Sequence, residues 1–350
     1  MTMLRASSLA LFGVLLGTTA QAAEFWIAEG DEVFGEVQIV AARHEDTFVS
    51  LARTYNVGYE ELRQANPGVD EWLPGEGTKI TIPSLYVLPR APRRGVVVNV
   101  AELRLYYFPS DSGPLPAGVA PGSRRVVTHP ISIGRMDWST PLGTTSITGK
   151  VANPSWYPPQ SIRDEHAARN DILPRVVPPG PDNPLGNHAL RLGLPGYLIH
   201  GTNKPSGVGM RVTHGCIRMF PEDIEALYKT IPTATPVNIV NQHVKIGWTA
   251  DGRLYLESHP ALLESNVDGE SVAATDAIET IQESPLTSLM RAYIAATEER
   301  RVELDWDAAE RVAQFGNGVP EAVSVADSTV SVTAEIAATN ANSGVVAESN

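Results

Sequence analysis

An α+β protein with a β-rich central domain is the fold class the sequence predicts, and three observations predict it. Between residues 95 and 257, short β-rich runs alternate with Gly, Pro and Asn at close intervals, the texture of strands joined by long loops. Residues 38–83 carry a strand-helix-helix-strand pattern, and beyond 261 the chain turns acidic with helical periodicity. A length of 350 residues with 29 Gly and 27 Pro fits several turn-rich units and excludes a helical bundle.

Residues 1–23 read as an export signal: Arg5 supplies the positive start, 8–17 is an apolar run, and Ala20-Gln21-Ala22 is a small-x-small cleavage site. The run is too short to span about 30 Å of hydrocarbon. Cleavage is expected near Ala22 or Ala23, giving a mature chain outside the cytoplasm with no transmembrane span.

After a short linker, Val37, Ile39 and Val40 suggest a strand. Phe48, Leu51, Ala52 and Tyr55 then fall at i, i+3, i+4, i+7, one face of a helix starting at Asp46 or Thr47. A second helix at 59–65, with Leu62 inward, stops at Asn66-Pro67 because the residue before a proline is biased out of the helical region. Residues 79–83 close this small βααβ unit as a strand, and 89–94 form a Pro- and Arg-rich connector.

The central domain, 95–240, has expected strands at 96–100, 103–108, 126–133, 144–148 and 237–240 and a helix at 222–228. Ala250-Asp251-Gly252 turns a hairpin, 241–262, read as closing that domain. Helical stretches near 272–282, 286–301 and 306–315 make a helical acidic extension over 264–316. Residues 317–350 lack a core-forming pattern and read as a disordered tail.

Charge distribution narrows the function. The net charge is −13, but residues 264–350 hold 16 acidic against 4 basic residues and the rest of the chain holds 24 against 23. The acidity belongs to the C-terminal segment, and with no basic stripe elsewhere nucleic-acid binding is not supported.

One cysteine, Cys216, stands in a chain expected to be exported. It has no internal partner for a disulfide, so it is either an inert buried side chain or a nucleophile. A thiol nucleophile needs a base, since at an ordinary pKa of about 8.5 only about 3% is thiolate at pH 7. His200, at the end of an apolar strand, and His214, two residues before the thiol, are the candidates. Geometry favours His200, because a tight turn directs the side chain two positions away elsewhere. Pairing is expected to lower the thiol pKa by two units or more, to about 6.5, and so to leave mostly thiolate. Gly215 permits a cramped turn and leaves backbone N–H groups open to an oxyanion. Arg218 can hold a substrate carboxylate by its planar fork. A zinc site built from Cys216, His200 and His214 is chemically sound, but no paired Cys-x-x-Cys supports it.

Two resemblances sharpen these readings. Glu45-Asp46-Thr47-Phe48, Leu51-Ala52, Tyr55-Asn56-Val57, Glu61-Leu62, Ala65-Asn66-Pro67 and Ile80-Thr81-Ile82-Pro83 resemble the LysM module, although Glu45 stands where that family usually has Gly. The string His200-Gly201-Thr202, then Thr213-His214-Gly215-Cys216-Ile217-Arg218, resembles the catalytic signature of YkuD-type L,D-transpeptidases of the ErfK/YbiS subgroup. Thr140 to Gly143, Asn153 to Pro159 and Asn183 to Gly186 add supporting matches, and the likeness spans about residues 95–257.

The resemblances imply a β-rich transpeptidase domain behind a peptidoglycan-binding LysM module, in the periplasm. Cys216 would be the nucleophile and His200 the base, its ring held by the Gly201 carbonyl. Gly215 and Cys216 N–H groups would form the oxyanion hole, Thr213 and His214 would orient the turn, and Arg218, Trp156 and Tyr157 would contact the stem. The implied partners are peptidoglycan glycan and peptide stems, with an outer-membrane lipoprotein as one possible acceptor. No metal or organic cofactor is implied, and acylation by carbapenems is. A hydrolase on the same fold and a non-catalytic wall-binding protein are the alternatives. The module is read as independent, so its deletion is expected to reduce wall retention and spare activity on soluble fragments.

Overall fold

Strands begin at the first residue that the computed structural model describes; it describes residues 23–110, 113–135, 138, 140–262, 284–325 and 330–331. The expected signal, apart from Ala23, and the helical stretch at 272–282 lie outside these residues. The expected linker is not one: β1 (Ala23–Ile27) pairs antiparallel with residues 124–128, and β2 (Val33–Gly35) follows it. Ile27, Phe34, Tyr86 and Leu88 bury together against Val97, Tyr106, Phe108 and Val126, so this stretch covers one face of the main sheet. Strands this short give little periodic signal, and only the partner sheet explains them.

Residues 38–83 fold as β3 (Gln38–Ala41), α1 (Phe48–Tyr55), α2 (Tyr59–Ala65) and β4 (Lys79–Ile82). α1 starts where Thr47 and Ser50 exchange hydrogen bonds between side chain and backbone, 3.1 and 2.9 Å, a reciprocal cap. It stops at Asn56, which takes the left-handed conformation, φ 53°. Phe48, Leu51, Leu62, Ile80 and Ile82 form the core of the unit. β5 (Leu85–Val87) then returns to pair with β2.

The central domain contributes β6 (Gly95–Asn99), β7 (Arg104–Phe108), β8 (Arg124–Pro130), β9 (Ile133–Gly134) and β10 (Gly143–Ala152), then α3 (Gln160–Ala167). β11 (His188–Leu192), β12 (Leu198–His200), β13 (Arg211–Thr213), β14 (Ile217–Arg218), α4 (Pro221–Thr230) and β15 (Pro236–Val240) complete it. Nine strands make one sheet in the order β1-β8-β7-β6-β15-β10-β11-β12-β14. β10 curls it: residues 143–146 pair with β15, and after an irregularity at 147–149 the rest pairs with β11. Val96, Val98, Leu105, Ile147, Leu190, Ile199 and Ile217 belong to one buried core against this sheet.

The hairpin β16 (Val244–Trp248) and β17 (Leu254–Ser258) does not close that sheet. It forms its own sheet, packed under α5 (Pro285–Ala296) and α6 (Trp306–Phe315). α5 ends at Ala296, short of the expected 301; β18 (Arg300–Arg301) follows the break. The expected disordered tail is partly ordered: β19 (Glu321–Ala322) pairs with β17 and Val323 is fully buried. A two-residue strand carries no pattern of its own. β20 (Val330–Ser331) pairs with β18.

Buried charges tie the units together. Lys245 Nζ lies 2.5 Å from Glu102 and 2.8 Å from Glu257 and also donates to the Val87 carbonyl, 2.7 Å, linking hairpin, sheet and connector. Glu102, Glu257 and His259 bring their donor atoms within 4.8 Å of one another, but the ammonium already answers their charge. The βααβ unit docks by a second buried pair: Arg104 Nε and a terminal guanidinium nitrogen reach the two carboxylate oxygens of Glu61 at 2.7 and 2.6 Å. Among the described residues, no helix is long and apolar enough to cross a membrane.

Candidate active site

Side-chain alternation along two short strands assembles the site. β12 and β14 run parallel with Ile199 opposite Ile217 and His200 opposite Arg218. Successive side chains on a strand point to opposite faces, so His200, Arg218 and Cys216 share one face while Ile199 and Ile217 face the core. That shared face opens into a cavity of about 450 Å³ lined by Trp156, Tyr157, Arg191, His200, Thr213, His214, Cys216 and Arg218, with no carboxylate among the described residues of its wall.

The imidazole is oriented by backbone. His200 is buried, and its Nδ1 lies 2.6 Å from the Gly201 carbonyl oxygen, which can only accept. Nδ1 therefore carries the proton and Nε2 is left as the acceptor. Burial, with the neighbouring Arg218 charge, pushes the ring pKa down to about 3. Burial likewise pushes the Cys216 thiol up, against a Leu198 backbone hydrogen bond and the Arg218 charge that favour thiolate. Against the expected thiolate, burial thus favours the uncharged form of both the thiol and the imidazole. The enclosure that brings the two together penalises both charged forms.

This has a measurable consequence. The neutral ring stabilises the fold fully above the ordinary histidine value of about 6.5, and its contribution declines as pH falls from there toward about 3. NMR titration of the His200 ring should show no inflection between pH 5 and 8; a midpoint near 6.5 would contradict the neutral pair.

Two threonines fix the turn that carries the thiol. Thr140 Oγ1 donates to the Gly215 carbonyl, 2.8 Å, and Thr213 Oγ1 to the Cys216 carbonyl, 2.6 Å. The peptide of the Gly215 carbonyl also carries the Cys216 N–H, so the first bond sets that donor's direction. Gly215 sits at φ 98° with its Cα 3.0 Å from where a side chain on Gly134 would begin, and neither position accommodates a larger residue.

His214 lines the same cavity, but a ring nitrogen is engaged by a carboxylate outside it. Its Nε2 lies 2.9 Å from Glu165 on α3, and Glu165 also binds Arg135 at 2.6 Å and Arg169 at 2.7 Å. Arg135 first, then His214, holds the Glu165 carboxyl down at about 2. Arg135 is tied in turn to β13, its N–H donating to the Thr213 carbonyl at 3.0 Å. Asn183, fully buried, clamps the loops around Pro154 and Leu185 through its side-chain amide, 2.8 and 2.9 Å.

Arg218 is half-buried and lines the same cavity as the thiol and the imidazole. Its backbone exchanges hydrogen bonds with Ser132, its buried Nε has no hydrogen-bond partner, and among the described residues no carboxylate pairs with it. Tyr157 is 68% exposed at the cavity rim, and Trp156 is half-buried beside it. Sequence reasoning missed Arg191, a second cation in the wall, and Glu165, because each lies far along the chain from the thiol motif and neither belongs to it.

A curled sheet with thiol, imidazole and guanidinium on one face of two parallel strands defines the class, a YkuD-type catalytic domain. Residues 93–239 match the family model described as the L,D-transpeptidase catalytic domain. The chain is 42% identical over 240 residues to the probable L,D-transpeptidase YcfS of Escherichia coli K12, covering 67% of this chain and 72% of that relative. It is 36% identical over 265 residues to the probable L,D-transpeptidase YbiS of the same strain, covering 73% and 83%. It is also 36% identical over 299 residues to the probable L,D-transpeptidase ErfK/SrfK of that strain, covering 85% and 89%. The chain belongs to the L,D-transpeptidase family and is an L,D-transpeptidase enzyme.

Proposed function

We propose that this enzyme is periplasmic and acts on tetrapeptide stems of peptidoglycan through a thioester on Cys216. The observation that carries the reading is the cavity wall, which combines a thiol, an imidazole held through Nδ1 and the cationic Arg218, with no carboxylate among the described lining residues. As Cys216 attacks the carbonyl between meso-diaminopimelate and the terminal D-alanine, His200 Nε2 takes the thiol proton. The Gly215 and Cys216 N–H groups hold the oxyanion. The C–N bond then breaks, D-alanine leaves with the proton from His200, and the thioester remains.

An acceptor amine attacks the thioester, His200 removes its proton, and the thiol returns. A diaminopimelate side-chain amine gives a 3-3 cross-link, and a lipoprotein lysine tethers the outer membrane. Trp156 and Tyr157 would line the donor stem, and Thr213 would hold the turn. Residues 38–83 act in this reading as a LysM module on the N-acetylglucosamine glycan. Export by residues 1–23 is consistent with a cut near Ala22, which leaves β1 whole.

Arg218 is assigned a substrate carboxylate. A hydrogen bond to a charged group contributes about 1.5–3 kcal/mol, so Arg218→Gln should raise KM for the stem about 10- to 150-fold with a smaller effect on kcat. An unchanged KM would remove that role. The function itself is tested by incubating purified protein with disaccharide-tetrapeptide. Cross-linked dimers with released D-alanine are expected; tripeptide alone would indicate a hydrolase.

A further inference from the structure

We propose that the turn between α1 and α2 is a positioning element for the loop that joins His200 to Cys216, so that the N-terminal unit is part of the catalytic apparatus. The inference rests on the reading of those two residues as the reacting pair.

The turn is wedged against that loop. Gly209 has φ 86°, and a side chain there would begin 2.2 Å from the Tyr59 nitrogen and 2.5 Å from the Gly58 Cα. The Glu60 N–H donates to the Gly209 carbonyl, 3.2 Å, and Met210 packs into the hydrophobic core of the N-terminal unit beside Val57, Tyr59 and Leu62. β13 begins at the next residue, and its last residue, Thr213, holds the Cys216 carbonyl.

The same turn grips the chain on the far side of the thiol. Asn56 donates to Asp223, 3.1 Å, and Arg53 forms a two-point pair with Glu222 at 2.8 and 3.0 Å, both at the start of α4. The segment from Met210 to Glu222, with Cys216 at its centre, is therefore held at both ends by one eight-residue stretch of another unit, Arg53 to Glu60. Arg104–Glu61 fixes that region to the sheet below. An interface that served only to carry a wall-binding module would have no reason to close on these two points.

The test uses the full chain with Gly58→Val on the N-terminal side, Met210→Ala on the loop side and Met210→Leu as the refilling control. Hydrogen exchange across residues 202–214, the rate of Cys216 acylation by a carbapenem, and thermal melting are measured together. Faster exchange in that loop and acylation slowed about 10- to 100-fold are expected in the first two variants, with both restored by Met210→Leu. Loop exchange and acylation within about twofold of wild type would overturn the proposal. Should Gly58→Val not fold, Met210→Ala carries the comparison, because that side chain is only half-buried. A wild-type chain that carbapenems do not acylate would overturn the acyl-transfer reading instead, and loop exchange would still decide the coupling.

Discussion

Cys216→Ala is expected to reduce turnover of tetrapeptide stems by at least about 10⁴-fold while leaving the melting temperature near wild type, because the removed sulfur is the bond-forming atom. His200→Ala should fall almost as far. With burial pushing the thiol pKa up and the ring pKa down, attack depends on Nε2 taking the proton as the C–S bond forms. Losses from residues acting as a unit do not add, so the double variant should be about as slow as either single one. Steady-state kinetics on purified variants, with melting curves to confirm folding, check this. A His200→Ala enzyme within about tenfold of wild type would mean that another group accepts the proton.

Glu61→Ala is expected to cost about 3–5 kcal/mol of stability. Arg104 is fully buried, and burial opposes its charge; Glu61 across 2.6 Å outweighs that opposition and keeps the guanidinium charged. Removing the carboxylate strands that cation, whereas Arg104→Met combined with Glu61→Leu removes both charges and should recover most of the loss. Denaturant unfolding of the three chains measures it. The same pair corrects the expectation of an independent module. Deleting residues 38–83 would uncover Arg104 and leave Met210 without its packing, so activity on soluble fragments should fall along with wall retention.

Much of the fold was legible because local signals were strong. The βααβ unit could be bounded closely from the capping Thr47, the Phe48-Leu51-Ala52 stripe and the stop at Asn66-Pro67. β6, β7, β15 and α4 appeared within a residue or two of their apolar runs. What could not be read depends on distant partners. β1 and β19 are strands only because Thr128 and Tyr255 lie opposite them, and the hairpin at 244–258 turns toward α5 and α6 for a core no local pattern announces.

The site divides in the same way. Cys216, His200 and Arg218 stood out from residue type and spacing, and strand register places them on one face. The bridge from His214 to Glu165 spans 49 residues, and the grip of Asn56 on Asp223 spans 167. Neither separation leaves a trace in one sequence. The direction of the two pKa shifts also escaped, because it is set by how deeply the groups are enclosed rather than by which residues form the site.

The most direct measurement is mass spectrometry of the full chain, quenched in acid while turning over disaccharide-tetrapeptide. The account predicts a mass gain equal to the donor less D-alanine on the peptide that carries Cys216, absent from Cys216→Ala and released by hydroxylamine. D-Alanine release with that peptide still at its unmodified mass, or with the adduct on another residue, would contradict it.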